Sequence, residues 1–339
     1  MTRRRLLQTL AAAPLAAAAA PSVKLGADLF SLRSQGWTPY QLLDYCAARQ
    51  VQVVHFSEIR FIGGLEPDNL RRVRDHAAKL AIELEIGMVS ICPTSKRFNA
   101  AAGTAEAQLG AMIDAAVTVG SRIVRCVLGD ATDRIPSIER SIETTARVLR
   151  NVRSKAMDSH IKVAIENHAG DMQARELKSL IEQAGPDFTG VCIDSGNPLW
   201  TIEDPHLTLE TLAPYVLTSH LRDSAVWRVP EGAAVSWVRM GEGNVDIEGY
   251  VRKYAALCPG RALSIESIVT PPRVFPFRDP KFWEPYRSTP AWEFERFLEI
   301  ADRGKPRQPD PRPPDQEAAR RKEREDFEAS LEYLKKLLR

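Results

Sequence analysis

"FTGVCIDSGN" (188–197) is the stretch on which the fold turns. Val191, Cys192 and Ile193 make an unbroken apolar run, as expected of a parallel strand buried on both faces. Asp194 ends the run, and Ser195, Gly196 and Asn197 turn the chain away. A carboxylate at the end of such a strand is costly unless it is paired or bound to a cation.

The same rhythm runs outward in both directions. Strand patterns fall at 23–32, 51–59, 82–91, 122–129, 161–167, 188–194, 216–223 and 262–267. Helical patterns lie between them at 38–50, 67–81, 104–120, 135–159, 174–185 and 207–214, and 291–304 closes the series. Thr38 followed by Pro39 reads as a helix start, and Gly120 as a stop. Eight strands alternating with helices over 21–304 predict an α/β protein, a (β/α)8 TIM barrel. An open doubly wound sheet would want a glycine-rich phosphate turn after its first strand, and "GADLFSLRSQG" has no GxGxxG.

Three segments fall outside this rhythm. Residues 1–20, "MTRRRLLQTLAAAPLAAAAA", carry three arginines and a short apolar run broken by Pro14, which reads as an export signal. Arg3, Arg4 and Arg5 before Leu6 and Leu7 give it a twin-arginine character and predict a periplasmic or otherwise exported protein. Residues 305–339 begin as a Pro-rich spacer and end as a charged helix with Phe327, Leu331, Leu334 and Leu338 on a narrow stripe. That helix is expected to dock on the barrel or on a second copy, so a homo-oligomer is one expectation. Residues 269–290 are too aromatic for a solvated loop and should cap the barrel mouth or a neighbouring subunit.

Removing the signal takes away three arginines and no acid, so 46 basic residues become 43 against 44 acidic ones. A near-neutral chain carries no nucleic-acid footprint. Once the signal is removed, no segment is expected to stay inserted in a membrane. The five cysteines are scattered without a CxxC pair, and Cys126 and Cys192 sit in strand patterns as buried thiols.

Four late strands each finish in a group that can bind a metal: Glu166 in "VAIEN", Asp194 in "VCIDSGN", His220 in "LTSHLRD" and Glu266 in "LSIES". The first three are 28 and 26 residues apart, close to the ~30 residues of one βα unit, so they reach the same height on successive strands. Taken singly, Glu166 could pair with an arginine, His220 could be a core histidine and Asp194 could cap a helix. Together they make a hard, oxygen-rich set with one imidazole. It suits one divalent ion, Mn²⁺ or Mg²⁺ first, with Zn²⁺, Co²⁺ or Fe²⁺ also admitted by the imidazole. His168 and Arg222 each follow a ligand by two and point the same way by strand alternation. Trp200 is a candidate platform for a sugar ring.

With "IEN", "DSGN", "SHLRD", "GEGNVDIEGYV" and "IES" in place, the chain resembles the xylose isomerase-like TIM barrels over most of 23–303, in particular the tagatose/psicose 3-epimerase and inosose dehydratase group. The resemblance implies that Glu166, Asp194, His220 and Glu266 hold the metal, with Glu166 and Glu266 as the catalytic acid–base pair. It also implies substrate contacts at Arg228 and at His55. The expected activity is a metal-dependent sugar or polyol isomerase or epimerase that abstracts a proton beside a polarised carbonyl. Alternatives are a lyase or hydratase on keto-glycosides, or a barrel that binds sugar or metal without turnover.

Two positions depart from the epimerase pattern. Asn197 stands where those enzymes have a histidine, and Met172 where they have a further glutamate. Asn197 is therefore expected to orient substrate or a ligand carboxylate. The related DNA-repair endonucleases need several additional histidine ligands, which this chain lacks.

Overall fold

A computed structural model describes residues 23–339. The export signal at 1–20 therefore lies outside the described residues. The strands are β1 (Lys24–Asp28), β2 (Val53–Phe56), β3 (Glu83–Ser90), β4 (Ile123–Val127), β5 (Lys162–Glu166) and β6 (Thr189–Asp194). They continue with β7 (Val216–Leu221), β8 (Asp223–Val229), β9 (Gly232–Val238), β10 (Ala262–Ile265) and β11 (Arg273–Phe275). The helices are α1 (Pro39–Ala47), α2 (Ile59–Ile62), α3 (Pro67–Lys79), α4 (Ala105–Val119) and α5 (Ile138–Asp158). After these come α6 (Ala174–Ala184), α7 (Pro205–Leu212), α8 (Ile247–Leu257), α9 (Ala291–Arg303) and α10 (Gln316–Leu337).

β1 to β7 and β10 close into a parallel barrel, with β10 sealing it between β7 and β1. The apolar strands are buried along their length, and the helices cover them as a (β/α)8 barrel requires. Local chemistry sets the helix ends. Thr38 caps α1 in a reciprocal box with Gln41, and Gly120 takes the left-handed conformation (φ 82°) that stops α4. α5 starts at Ile138 rather than 135, where the Ser137 side chain caps it. α7 starts at Pro205 behind the Asp204 cap.

Register carries the site residues to one end. Glu166 pairs with Cys192, Asp194 with His220, and His220 with Ser264, two residues before Glu266. This stagger is the shear of a closed barrel, and it brings all four ends to one mouth.

The stretch 216–223, read as one strand, is two. The chain bends at Arg222, and β8 then forms a hairpin with β9. β11 adds to that hairpin, so the aromatic stretch 269–290 becomes the third strand of a small antiparallel sheet. Tyr286 anchors its far end under the Arg134 guanidinium, which lies 4.4 Å from the ring centre and donates to the Pro285 carbonyl. The Pro-rich spacer has no regular structure, and α10 docks on the barrel of its own chain. Phe327, Leu331 and Leu334 are buried there, and Glu323 accepts the Ser34 N–H from the loop after β1.

Candidate metal centre

Glu166, Asp194, His220 and Glu266 offer ligand atoms that all lie within 4.8 Å of one another. His220 Nδ1 is 3.1 Å from Glu166 Oε2 and 3.3 Å from Glu266 Oε2. Its Nε2 faces the other way, 2.9 Å from His55 Nδ1. Burial and the nearby His220 hold His55 well below the usual histidine range, so the His55 ring is neutral. A hydrogen on His220 Nε2 donated to His55 Nδ1 leaves the Nδ1 lone pair free for a cation, the usual division of labour in a metal-bound histidine. His55 is thus a second-layer partner of a ligand.

The "DSGN" turn is built around Asp194. The backbone N–H groups of Gly196 and Asn197 both donate to Asp194 Oδ1, at 2.7 and 2.6 Å. The Asn197 side chain donates to Glu166 Oε1 at 3.2 Å, so one residue orients two ligand carboxylates, as its sequence position suggested. Asn167 stitches the two strands, donating to the Asp194 carbonyl and accepting the Asp194 N–H.

Two buried arginines balance the carboxylates. Arg125 Nε donates to Glu166 Oε2 at 2.5 Å. Burial would raise the Glu166 carboxyl, but Arg125 and His220 outweigh it and hold the group well below the usual carboxylate range. Arg222 Nη2 lies 2.6 Å from Asp194 Oδ2 and also contacts Glu266. Burial nevertheless dominates at Asp194 and raises its carboxyl above the ordinary value. The contact with Arg222 is close but poorly aligned, and Asp194 Oδ2 and His220 Nδ1 both lack a geometrically sound hydrogen bond. Orphaned ligand atoms in a buried set of three carboxylates and one imidazole fit a divalent cation.

Arg222 is held by stacking. Its guanidinium lies 4.2 Å from the Trp237 ring centre, and Trp237 stacks on Trp200 at 4.0 Å and 6°. Arg273 covers the outer face of Trp200. A side chain at Gly196 would collide with the Arg222 stem and with Trp237, so only glycine fits that turn. Trp200 is therefore part of a column that supports Arg222, rather than a bare platform.

His168 sits at the same mouth. Its Nδ1 lies 2.7 Å from the Gly129 carbonyl, and burial pushes its pKa down to about 4, so it is neutral at pH 7. Arg228 is not brought in. It lies on β8, outside the barrel, with Nε 2.6 Å from Asp302 Oδ1, because the hairpin carries it away from the mouth. Met172 is buried in the apolar core.

Arg125, Asp28 and Trp237 belong to the site and were not singled out in the sequence. Arg125 interrupts the apolar run "RIVRCVLG", and Asp28 ends "KLGAD" as the four ligands end theirs, so the same criterion reaches both. Asp28 Oδ2 is 3.5 Å from His220 Nε2. Trp237 had no signal, since only the hairpin folds it over Arg222.

Residues 42–280 match the family described as xylose isomerase-like TIM barrel. The chain belongs to this family. A curated relative, 3-oxo-isoapionate decarboxylase of Pectobacterium atrosepticum, is 24% identical over 226 residues, covering 66% of this chain and 70% of its own. Among solved structures, D-psicose 3-epimerase of Clostridium cellulolyticum, determined with D-tagatose, superposes with a TM-score of 0.62 at 11% identity, covering 93% of this chain and 99% of its own. The IOLI protein, determined with a bound zinc atom, gives 0.55 at 13% identity, covering 82% and 98%. At such identities the structural likeness establishes the fold.

Proposed function

We propose that the protein is a metal-dependent sugar or polyol isomerase or epimerase that moves a proton at a carbon next to a carbonyl. The observation that carries this reading is the convergence of Glu166, Asp194, His220 and Glu266, from four strands, on one buried point. A divalent ion held there, Mn²⁺ or Mg²⁺ first and Zn²⁺ next, supplies polarisation of a substrate carbonyl and its neighbouring hydroxyl.

The chain's own groups divide the remaining work. Glu166 is bonded at one oxygen by Arg125 and at the other by Asn197, which makes it a well-held ligand and a weak base. Glu266 retains 8% side-chain exposure where Glu166, Asp194 and His220 retain none, so it is the better placed to pass a proton to and from substrate. Delivery to the opposite face of the same carbon gives an epimer, and delivery to the neighbouring carbon gives an isomer. Arg222 stands beside Asp194 and Glu266 to balance the negative charge that develops.

A second reading, elimination or decarboxylation of an oxidised sugar, is favoured by Arg222. Its Nε and Nη1 are buried without acceptors, which suits a substrate carboxylate, and the curated relative is a decarboxylase. The chemistry up to the enediolate is shared by both readings.

The test is solvent deuterium exchange into a panel of keto sugars and sugar acids with metal-loaded protein, followed by product analysis by NMR. Exchange that is lost in Glu266→Gln supports the reading. No exchange and no product with any member would sink it. The twin-arginine character of residues 1–20 supports export, and a fusion of those residues to a folded reporter that stays in the cytoplasm would refute it.

A further inference from the structure

Of the four ligands only Glu266 keeps any contact with solvent, and a cavity of about 440 Å³ lies on that side. Ser267, the next residue, lines it, together with Arg33 from the loop after β1 and Val269 and Pro271 from the loop after β10. Its opposite wall is the Pro-rich strap at 309–313 and the first turns of α10. That wall lies beyond residue 280, outside the stretch that matches the family, so the cavity is an addition of this chain.

The charged groups around the cavity are already engaged. Glu323 accepts from the Ser34 N–H at 3.0 Å and from Gln35 Nε2 at 2.7 Å. Asp326 is paired with Arg239 at 2.6 Å and with Lys322 at 3.0 Å, and Lys322 also reaches Asp310. What is left for a ligand is a set of flat proline faces at 271, 309, 311 and 313, with a few polar groups at the edge. Concave apolar walls with sparse polar groups, in the ~300–1,000 Å³ range, are the usual character of a small-molecule subsite.

We propose that this cavity is an outer subsite for a ring joined by a glycosidic bond to the reacting sugar. The protein then works on glycosides rather than on free monosaccharides. This rests on the reading that a sugar sits at the ligand cluster. A single sugar at Glu266 leaves the strap without a partner, whereas a second ring leaving the cluster on its open side meets the proline faces.

The test is calorimetric binding to the full, metal-loaded chain. The probes are glucose and galactose, their α- and β-linked disaccharides, and their 4-nitrophenyl glycosides. At least one two-ring probe should bind ten-fold or more tighter than its parent monosaccharide. A preference for the disaccharide marks a second sugar, and a preference for the nitrophenyl glycoside marks an aromatic substituent. Ala319→Trp and, on the strap itself, Pro311→Trp should each remove that gain while leaving monosaccharide binding within two-fold. Equal binding of one- and two-ring probes, or a gain that survives both substitutions in folded protein, overturns the subsite. Deuterium exchange with keto-monosaccharides separates the two ideas. Exchange without a two-ring preference removes the subsite and keeps the activity. A two-ring preference without exchange keeps the subsite and removes the activity.

Discussion

The two halves of the barrel both carry ionisable groups inward, and they use them differently. The late half, β5 to β7 and β10, ends in three carboxylates and an imidazole that meet at one point. The early half, β1 to β4, supplies Asp28, His55 and Arg125, which touch the ligands rather than join them. A single half would leave buried charge uncompensated. Arg125 neutralises Glu166 and His55 fixes the ring of His220, so the early strands make the late ones tolerable before any cation arrives.

The sharpest way to break this division is to remove a ligand from the late half. Asp194→Asn is expected to abolish bound metal by elemental analysis and to lower exchange or turnover at least 10²–10⁴-fold. Its metal-free form should be no less stable than the parent's, because a desolvated carboxyl has been made neutral. Thermal unfolding with and without metal checks both statements.

Arg125→Met attacks the early half. Glu166 then loses its buried counter-charge, and the metal-free protein should lose about 3–5 kcal/mol. Added metal should recover part of that loss in a denaturant titration. If metal recovers none of it, Arg125 and the cation do not share the work of compensating Glu166.

His55 offers a graded version. His55→Leu removes the acceptor for His220 Nε2 and should weaken metal binding about 10–100-fold, whereas His55→Gln keeps an acceptor and should lose much less. Calorimetric metal titration of the two variants reads the difference.

Glu203 sharpens the comparison from outside the centre, since it is a buried carboxyl without a cation. Burial raises its pKa to about 7, against hydrogen bonds from Thr208 and the Ala174 N–H. A carboxyl raised in the folded state binds its proton more tightly there than when unfolded. Stability should therefore fall as pH rises from about 4.5 to 7, by roughly 3 kcal/mol. Glu203→Gln should flatten that part of the profile, and an unchanged slope would refute the assignment. The smallest effect is expected at Arg228, whose half-exposed pair with Asp302 is worth about 0–1 kcal/mol. Arg228→Ala should leave metal binding and exchange unchanged, and a large loss would return it to the site.

The ligands were legible because each ends an apolar run, and a charge in that place needs a reason. Asn197 was legible for the same cause, since a turn that follows a buried carboxylate must satisfy it. Arg125 and Asp28 obey the same rule but stand on strands far from the others in sequence, where nothing local ties them to the late set. Arg228 misled because strand alternation and motif spacing carry no information about a hairpin that folds outward. Trp200 was placed near the mouth, yet its partner Trp237 is 37 positions later and meets it only through that hairpin.

The sequence by itself determined the alternation of strand and helix, the caps that bound the helices, and the four groups at the strand ends. These are short-range matters of periodicity, turn chemistry and the cost of burying charge. The tertiary structure alone decided which cations balance those groups, how the His220 ring is turned, and which part of the C-terminal extension lies beside Glu266. Those contacts join residues dozens to hundreds of positions apart, and barrel closure, shear and helix docking set them, not any local pattern.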